Sequence, residues 1–399
     1  MSHERALYLD KYWSRYPAVP GQNWHRGRLG LDIEIKAIAA LALDSSDFTA
    51  TQVLVAGDLI AYNSEKVVLL APCLNPAGLQ KLTENKKKEF EAERWSHFLQ
   101  QTRSFFLNQG FYEAQSPTLT VCPGTEPFLD VFETELRIGT KKEKKYLPTS
   151  PELSLKKLLV QGQKNIFEMR PCFRNNEATN HHLPEFWMLE WYRAYENLGT
   201  IVEDLKKLVI FLCDQFSLPK PTDFGTQSVA ELFQKYCRFT LTPTTSYSDL
   251  ENLCASLQIS SCKDDLWDDL FYRVFVDKIE TQLQTLNPLF VHSYPPSQAA
   301  YSRISRDGWG ERFEMYWKGL EICNAFHELT DPVIQKQRFL EDFAKKEKTG
   351  RTTFPMDEEF LQALELGMPP SAGIALGLER LYMALFNVKD IHQFKLFET

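Results

Sequence analysis

Several things are missing from this 399-residue chain. No apolar run approaches the ~20 residues of a membrane span; runs such as Leu208–Cys213 are far shorter. The opening MSHERALYLDKYWSRYP lacks the basic-then-apolar pattern of a secretion signal, which predicts the cytoplasm. The eight cysteines never fall into a CxxC pair, so neither a zinc site nor a disulfide framework is indicated. Reduced, buried thiols are the expectation. Repeats and low-complexity tracts are absent. So is a positive excess: the net charge is −8, whereas a protein that grips nucleic acid over a large face normally carries a basic one. What remains, 43% hydrophobic and 25% charged residues, is ordinary globular composition, enough for one large domain with an appendage or for two domains.

The chain is organised around Phe167–Tyr195. It predicts two strands, Asn165–Phe173 and Glu185–Ala194, because both flanks are rich in aromatic and other strand-favouring residues. The loop between them is Asn-rich and ends in Pro184. On the second strand Phe186, Met188, Glu190 and Tyr192 share a face. An aromatic, a carboxylate and a phenol on one half-buried face read as the floor of a site. Residues 1–85 predict a small β-rich module with a turn at Tyr62–Ser64, and 86–399 the main domain. A helix is expected over Phe90–Asn108, stopping at Gly110. Ser150-Pro151 opens another, Pro151–Val160. The charged run KKEKK (Lys141–Lys145) reads as a solvated hairpin tip. Strands joined by hairpins, with helices inserted between them, predict an α+β fold: an antiparallel sheet with helices packed on it.

Three constellations carry chemistry. In ERFEMYWKGLEICNAFHELTD, a two-residue turn at Lys318-Gly319 would pair Tyr316 with Glu321 and Glu314 with Cys323, leaving Glu314 and Glu321 as diagonal neighbours on one face. Such a pair can hold magnesium jointly with phosphate oxygens; taken alone, it equally describes two solvent-facing glutamates. Asn324, Phe326 and Glu328 have the other parity, so both sets share one cavity only if the strand bulges near Ile322–Cys323. In GIALGLER (Gly373–Arg380) a small-residue strand runs into a helix, where Gly377 permits close backbone approach and Arg380 suits a polyanion. A strand–helix corner with a surface arginine fits the same residues. In the central hairpin, Arg174 and His182 border the loop and suit phosphates, while Phe186 suits stacking on a base or plain core packing. Glu152, Glu190 and Glu328, with Tyr192, would suit a ligand bearing two ammonium groups, since a buried ammonium is tolerated only when paired.

These constellations, in this order, resemble the class II aminoacyl-tRNA synthetases: GFYEAQSP (Gly110–Pro117) as motif 1, FRNNEATNHHLPEF (Phe173–Phe186) as motif 2 and GIALGLER as motif 3. TSPELSLKKLLVQG and GLEICNAFHELTD narrow the resemblance to the lysyl branch. NAFHELTD, LEWYR, Tyr294–Ala300 and the alanine in GIALG look most like the elongation factor P lysyl-lysine ligases. The resemblance covers roughly residues 90–399 and implies a class II synthetase-like sheet. It implies that Arg174 holds the α-phosphate of ATP, His182 and Arg380 face the terminal phosphates beside Gly377, and Phe186 stacks on adenine. Glu314 and Glu321 would hold Mg2+. Glu328 and Tyr192, near Asn324 and Phe326, would take the distal ammonium of lysine or (R)-β-lysine, and Glu152 and Glu190 the other. Gly124 would lie near the amino acid, and Ala375, where lysyl-tRNA synthetases usually have glycine, would shape the pocket for β-lysine. The implied reaction is AMP-forming: activation of the amino acid, then transfer to a lysine of elongation factor P, in a homodimer built through motif 1.

The chain departs from the family pattern at Asn176, where motif 2 usually has an acid, at Leu183, where the loop has an asparagine, at Glu379 in place of aspartate, and in its N-terminal 85 residues. A compact lysyl-tRNA synthetase charging tRNA, and a non-catalytic paralogue, stay open as alternatives. The acidic net charge speaks against tRNA.

Overall fold

The computed structural model describes residues 2–11, 24–29, 33–38, 41–43, 48–74, 79–284, 287–299 and 301–394. Residues 30–32 of the N-terminal module and Ala300 lie outside this set. The chain divides into two compact units, one of Met1–Glu93 with Phe394–Thr399 and one of Arg94–Gln393.

In the first unit, helix α1 (His3–Lys11) precedes strand β1 (His25–Arg28), helix α2 (Ile35–Ile38), strand β2 (Ala42–Leu43), helix α3 (Ala50–Val53) and strands β3 (Leu59–Tyr62) and β4 (Lys66–Ala71). The four strands form one sheet in the order β1-β3-β4-β2. Alternating apolar residues of β3 and β4 put Ile60, Val67 and Leu69 into a small core with Ile38 and Val53. Asp58 ties the unit together: it is fully buried, paired with Arg5 at 2.7 Å, and accepts from the backbone of Val55 and Cys73. Paired and hydrogen-bonded in this way, its burial is tolerated.

Helix α4 (Leu79–Asn108) starts eleven residues before the start expected from its apolar spacing, so the expected 85/86 boundary lies inside a helix and the compact units divide within it, after Glu93. In the second unit the chain continues through β5 (Tyr112–Glu113), β6 (Glu133–Ile138), β7 (Lys141–Tyr146), α5 (Glu152–Val160), β8 (Asn165–Phe173) and β9 (Glu185–Ala194). Helices α6 (Leu198–Gln215), α7 (Val229–Cys237), α8 (Tyr247–Ser256) and α9 (Trp267–Val274) follow, with β10 (Gly225–Ser228) between α6 and α7. Strands β11 (Leu289–Tyr294), β12 (Gly310–Trp317) and β13 (Leu320–His327), helices α10 (Pro332–Lys348) and α11 (Glu358–Gly367), strand β14 (Ser371–Gly377) and helix α12 (Leu378–Phe386) complete it.

Eight strands make the main sheet, in the order β10-β11-β12-β13-β14-β9-β8-β5. Its middle is antiparallel, but β10 runs parallel to β11 and β5 parallel to β8, so the sheet is mixed at both edges. Parallel neighbours need long crossovers, and the helical stretch α7–α9 supplies one between β10 and β11. The expected solvated tip KKEKK is strand β7 itself, paired with β6 in a separate two-stranded ribbon. Cross-strand pairs Lys144–Glu133 at 2.7 Å and Lys142–Glu135 at 3.4 Å give this charged run a partner of opposite sign.

Helix ends follow their sequence signals. Asn197 caps α6 by accepting from Gly199 N at 2.8 Å, and Asp331, followed by Pro332, caps α10. One face of the sheet buries Phe106 against Phe167 and Trp191, with ring centroids 5.0 and 5.1 Å away. Truncating any one of these to alanine should cost about 3–5 kcal/mol.

Candidate active site

A cavity of about 300 Å³ opens over β9, β13 and β14. One end is cationic. Arg174 follows the end of β8, and its guanidinium sits 5.2 Å from the centroid of the Phe186 ring on β9. Its Nε is buried without a hydrogen-bond partner, and its closest anion is Glu177 at 3.9 Å. Arg380, in the first turn of α12, donates to the backbone oxygen of Glu321 at 2.9 Å and contacts His182 Nε2 at 2.5 Å. Burial and the cations of Arg380 and Arg174 push the His182 imidazole down to about 4, so it is neutral at pH 7. Gly377 lines the same end. The motif 2 departures are accommodated locally. Asn176 sits in the left-handed region, φ 63°, where asparagine is tolerated, and Glu177 supplies the carboxylate near Arg174. Leu183 is buried in the cavity wall. Glu379 accepts from Trp187 N through both oxygens, at 3.0 and 2.9 Å, pinning α12 to β9.

The other end is acidic and closed. Glu190 on β9 is 1% exposed, accepting from Ser150 Oγ at 2.5 Å and Tyr192 OH at 3.0 Å. Burial, reinforced by Glu152, holds its carboxyl well above the usual range. Glu152 opens α5. Lys156, one helical turn on, lies within 2.5 Å of Glu152 and 2.6 Å of Glu328, with its ammonium over the Tyr301 ring at 4.5 Å. Burial works to lower the lysine, yet Glu152 and Glu328 together hold it above its ordinary value. Burial raises Glu328 to about 7 despite Lys156. Its Oε1 has no hydrogen-bond partner. Gly373 makes this closeness possible: a Cβ there would run into the Tyr192 ring and lie 2.7 Å from Glu328 Oε1.

Glu152, Glu190, Tyr192, Asn324, Phe326, Ala375 and Glu321 all line this cavity together with Arg174, His182, Phe186 and Arg380. Three expected residues do not. Glu328 lies behind the wall, against Lys156. Gly124 borders a neighbouring cavity of about 590 Å³, with a φ of +148° that favours glycine. Glu314 is buried below, where Tyr294 OH and Tyr316 OH donate to its Oε2 at 2.5 and 2.7 Å and Arg312 takes its Oε1.

The hairpin register differs from the expected one. Lys318 and Gly319, both at positive φ, make the two-residue turn, and Tyr316 pairs with Glu321. The register then shifts: Met315 opposes Cys323 and Glu314 opposes Asn324, so Ile322 is an extra residue. This bulge brings Glu321, Asn324 and Phe326 to the same cavity.

Three participants went unseen in the sequence. Lys156 had a signal, the i,i+4 spacing from Glu152. Arg312, two residues before Glu314 and thus on the same face, orients Asn324 by donating to its Oδ1 at 3.0 Å. Glu280, whose carboxyl is raised by burial and by Glu321 and Glu314, had none.

Residues 79–399 match the family of class II tRNA synthetases (D, K and N). A protein of Haemophilus influenzae (strain PittGG) is 35% identical over 295 residues, 73% of this chain and 89% of that protein. One from Pasteurella multocida (strain Pm70) is 33% identical over 321 residues, 76% of this chain and 97% of that protein. A third, from Hamiltonella defensa, is 32% identical over 304 residues, 74% of this chain and 90% of that protein. All three are named elongation factor P–(R)-β-lysine ligase.

Proposed function

The chain belongs to the class II tRNA synthetases (D, K and N), and from that membership we propose that it is an ATP-dependent, AMP-forming ligase. It activates (R)-β-lysine, with lysine as the weaker substrate, and passes the acyl group to a lysine side chain of elongation factor P. The observation that carries this reading is the split of one cavity into a cationic end and a closed acidic end. The first suits a triphosphate, and the second suits two ammonium groups.

Arg174 and Arg380 bind the phosphates and stabilise charge that develops on the α-phosphate as the amino acid carboxylate attacks it. Phe186, already carrying the Arg174 guanidinium on its face, stacks on the adenine. Neutral His182 holds Arg380 in place and gains a proton readily once an anion replaces the arginine's field. At the acidic end Glu152, Glu190 and Tyr192 fix the diamine, with Glu328 acting from behind the wall through Lys156, so that its carboxylate is presented to the phosphate without loss of orientation. Carboxylate oxygen bonds to phosphorus and pyrophosphate leaves. An acceptor amine nitrogen then bonds to the acyl carbon, the carbon–oxygen bond to AMP breaks, and the amine gives up a proton.

Glu321 and Glu314 would hold Mg2+ jointly with phosphate oxygens, since among the described residues no group of three His, Cys, Asp or Glu side chains is placed to hold a metal by itself. Glu321 has only a 3.4 Å contact with Arg380 to give up. Glu314 joins by releasing one of its three donors. Once bound, the ion neutralises phosphate charge. A homodimer through the motif 1 segment, with the protein acting in the cytoplasm, completes the reading. Among the described residues no helix is long and apolar enough to cross a membrane.

The test is ATP–pyrophosphate exchange with (R)-β-lysine and lysine, followed by intact-mass measurement of elongation factor P. Exchange stimulated more by (R)-β-lysine, with a mass gain on the factor, is the expected result. Exchange together with charging of tRNA and no mass gain would overturn it.

A further inference from the structure

Part of the cavity wall serves neither ATP nor the amino acid. Gln335, Asp342 and Lys345 face it from α10, Asp268 from α9, and Glu126 from the loop before β6. Gln335 and Asp342 are seven residues apart and therefore on one face of the helix. Three carboxylates line the cavity here with one ammonium, while Lys346 and Arg338, which do not line it, act on Glu126 and Asp342 from outside. Asp268 is satisfied, accepting from Gln298 Nε2 at 2.6 Å and from Lys345 Nζ at 2.9 Å.

The other acceptors lack donors. Gln335 is 1% exposed and its Oε1 has no hydrogen-bond partner. Glu126 Oε2 is likewise buried and unpartnered. Asp342 is half-buried, and its carboxyl is pushed up to about 7 by burial, with Glu126, Asp268 and Glu341 adding to the rise and Lys345 opposing it. Buried acceptors are normally paired. This wall is short of N–H donors and short of positive charge, and a primary ammonium, with three donors and one charge, supplies both.

ATP is excluded from this wall by its charge. The two ammonium groups of the amino acid have Glu152, Glu190 and Tyr192. The second substrate of the ligase is itself an amine, and it must reach the acyl carbon through the same cavity. We propose that Glu126, Gln335 and Asp342 form the docking subsite for the acceptor amine, collecting the lysine ammonium of the protein substrate before transfer. This rests on the ligase reading above.

The experiment separates the two half-reactions in the full-length protein. Asp342→Asn and Glu126→Gln are assayed for ATP–pyrophosphate exchange with (R)-β-lysine, and for single-turnover transfer from preformed aminoacyl-adenylate to elongation factor P. Exchange should stay within about twofold of wild type, while the factor concentration giving half-maximal transfer rises about tenfold or more, as for loss of a charge-assisted contact. Asp342→Glu should restore much of the loss. Equal damage to both half-reactions, or none to either, would overturn the subsite. If the wild type forms adenylate but never modifies the factor, the ligase reading fails on its own. The subsite is then read with n-butylamine as acceptor, where Asp342→Asn must again slow transfer and not exchange.

Discussion

The two ends of the cavity solve opposite problems. At the phosphate end the charges are cationic and partly solvated, and they are held loosely: Arg174 keeps an unpartnered Nε, and its anion is 3.9 Å away. At the diamine end the charges are carboxylates with almost no access to water, and the chain supplies its own counterion, Lys156. Guanidinium groups stay charged in a half-open site at little cost. Buried carboxylates do not, and without a cation they take up protons. The difference teaches that an acidic pocket built for a removable dication needs a fixed cation to hold its walls together.

That comparison can be broken in several ways. The largest effect is expected from Lys156→Met, which leaves Glu152 and Glu328 facing each other. Loss of one partner from a buried ion pair costs about 3–5 kcal/mol. Thermal unfolding should show it, and added diamine should raise the melting temperature of the variant more than that of wild type. An equal rise in both would deny Lys156 its counterion role.

Next comes Arg174→Ala or Arg380→Ala. Exchange should fall about 100- to 1000-fold, the range for removing one group that stabilises transition-state charge. A change under about tenfold would place the phosphates elsewhere.

Gly373→Ala isolates the acidic end. Its methyl group runs into Tyr192 and Glu328, and overpacking of this kind costs roughly 1–3 kcal/mol. KM for the amino acid should rise while KM for ATP holds steady. Parallel rises in both would mean that the two ends are not separable.

The smallest effect is a proton count. His182 sits at about 4 when folded, against an ordinary 6.5. A lowered value favours the neutral form in the fold, so this contribution to stability is full above the ordinary value and drains away as pH falls towards 4. A triphosphate reverses the local field and raises the group. ATP binding near pH 5.5 should therefore take up a fraction of a proton, seen as a buffer-dependent calorimetric heat that His182→Gln abolishes, roughly as linkage requires.

Much of this was readable in the sequence. Strands Asn165–Phe173 and Glu185–Ala194 are β8 and β9 at those bounds, because aromatic content and a Pro-terminated polar loop are local signals. The α+β class and the family followed from motif order. What could not be read depends on distant neighbours. The Glu314 register turned on one bulged residue. The run at Lys141–Lys145 is solvent-facing as expected, but its place in a strand rather than at a tip depends on glutamates of the opposite strand. Lys156 was passed over because lysine is so rarely buried. The parallel edges come from β5 and from β10, strands of only two and four residues.

The extra residue at Ile322 acts on β13 as a frameshift acts on a message. A strand is written with two alternating letters, inward and outward, and one insertion exchanges their meaning from that point on. The metal carboxylate upstream and the amide and aromatic downstream belong to opposite phases, and only the shifted frame lets one cavity read both. A single-residue deletion here would leave every functional side chain in the chain and still erase half of the site.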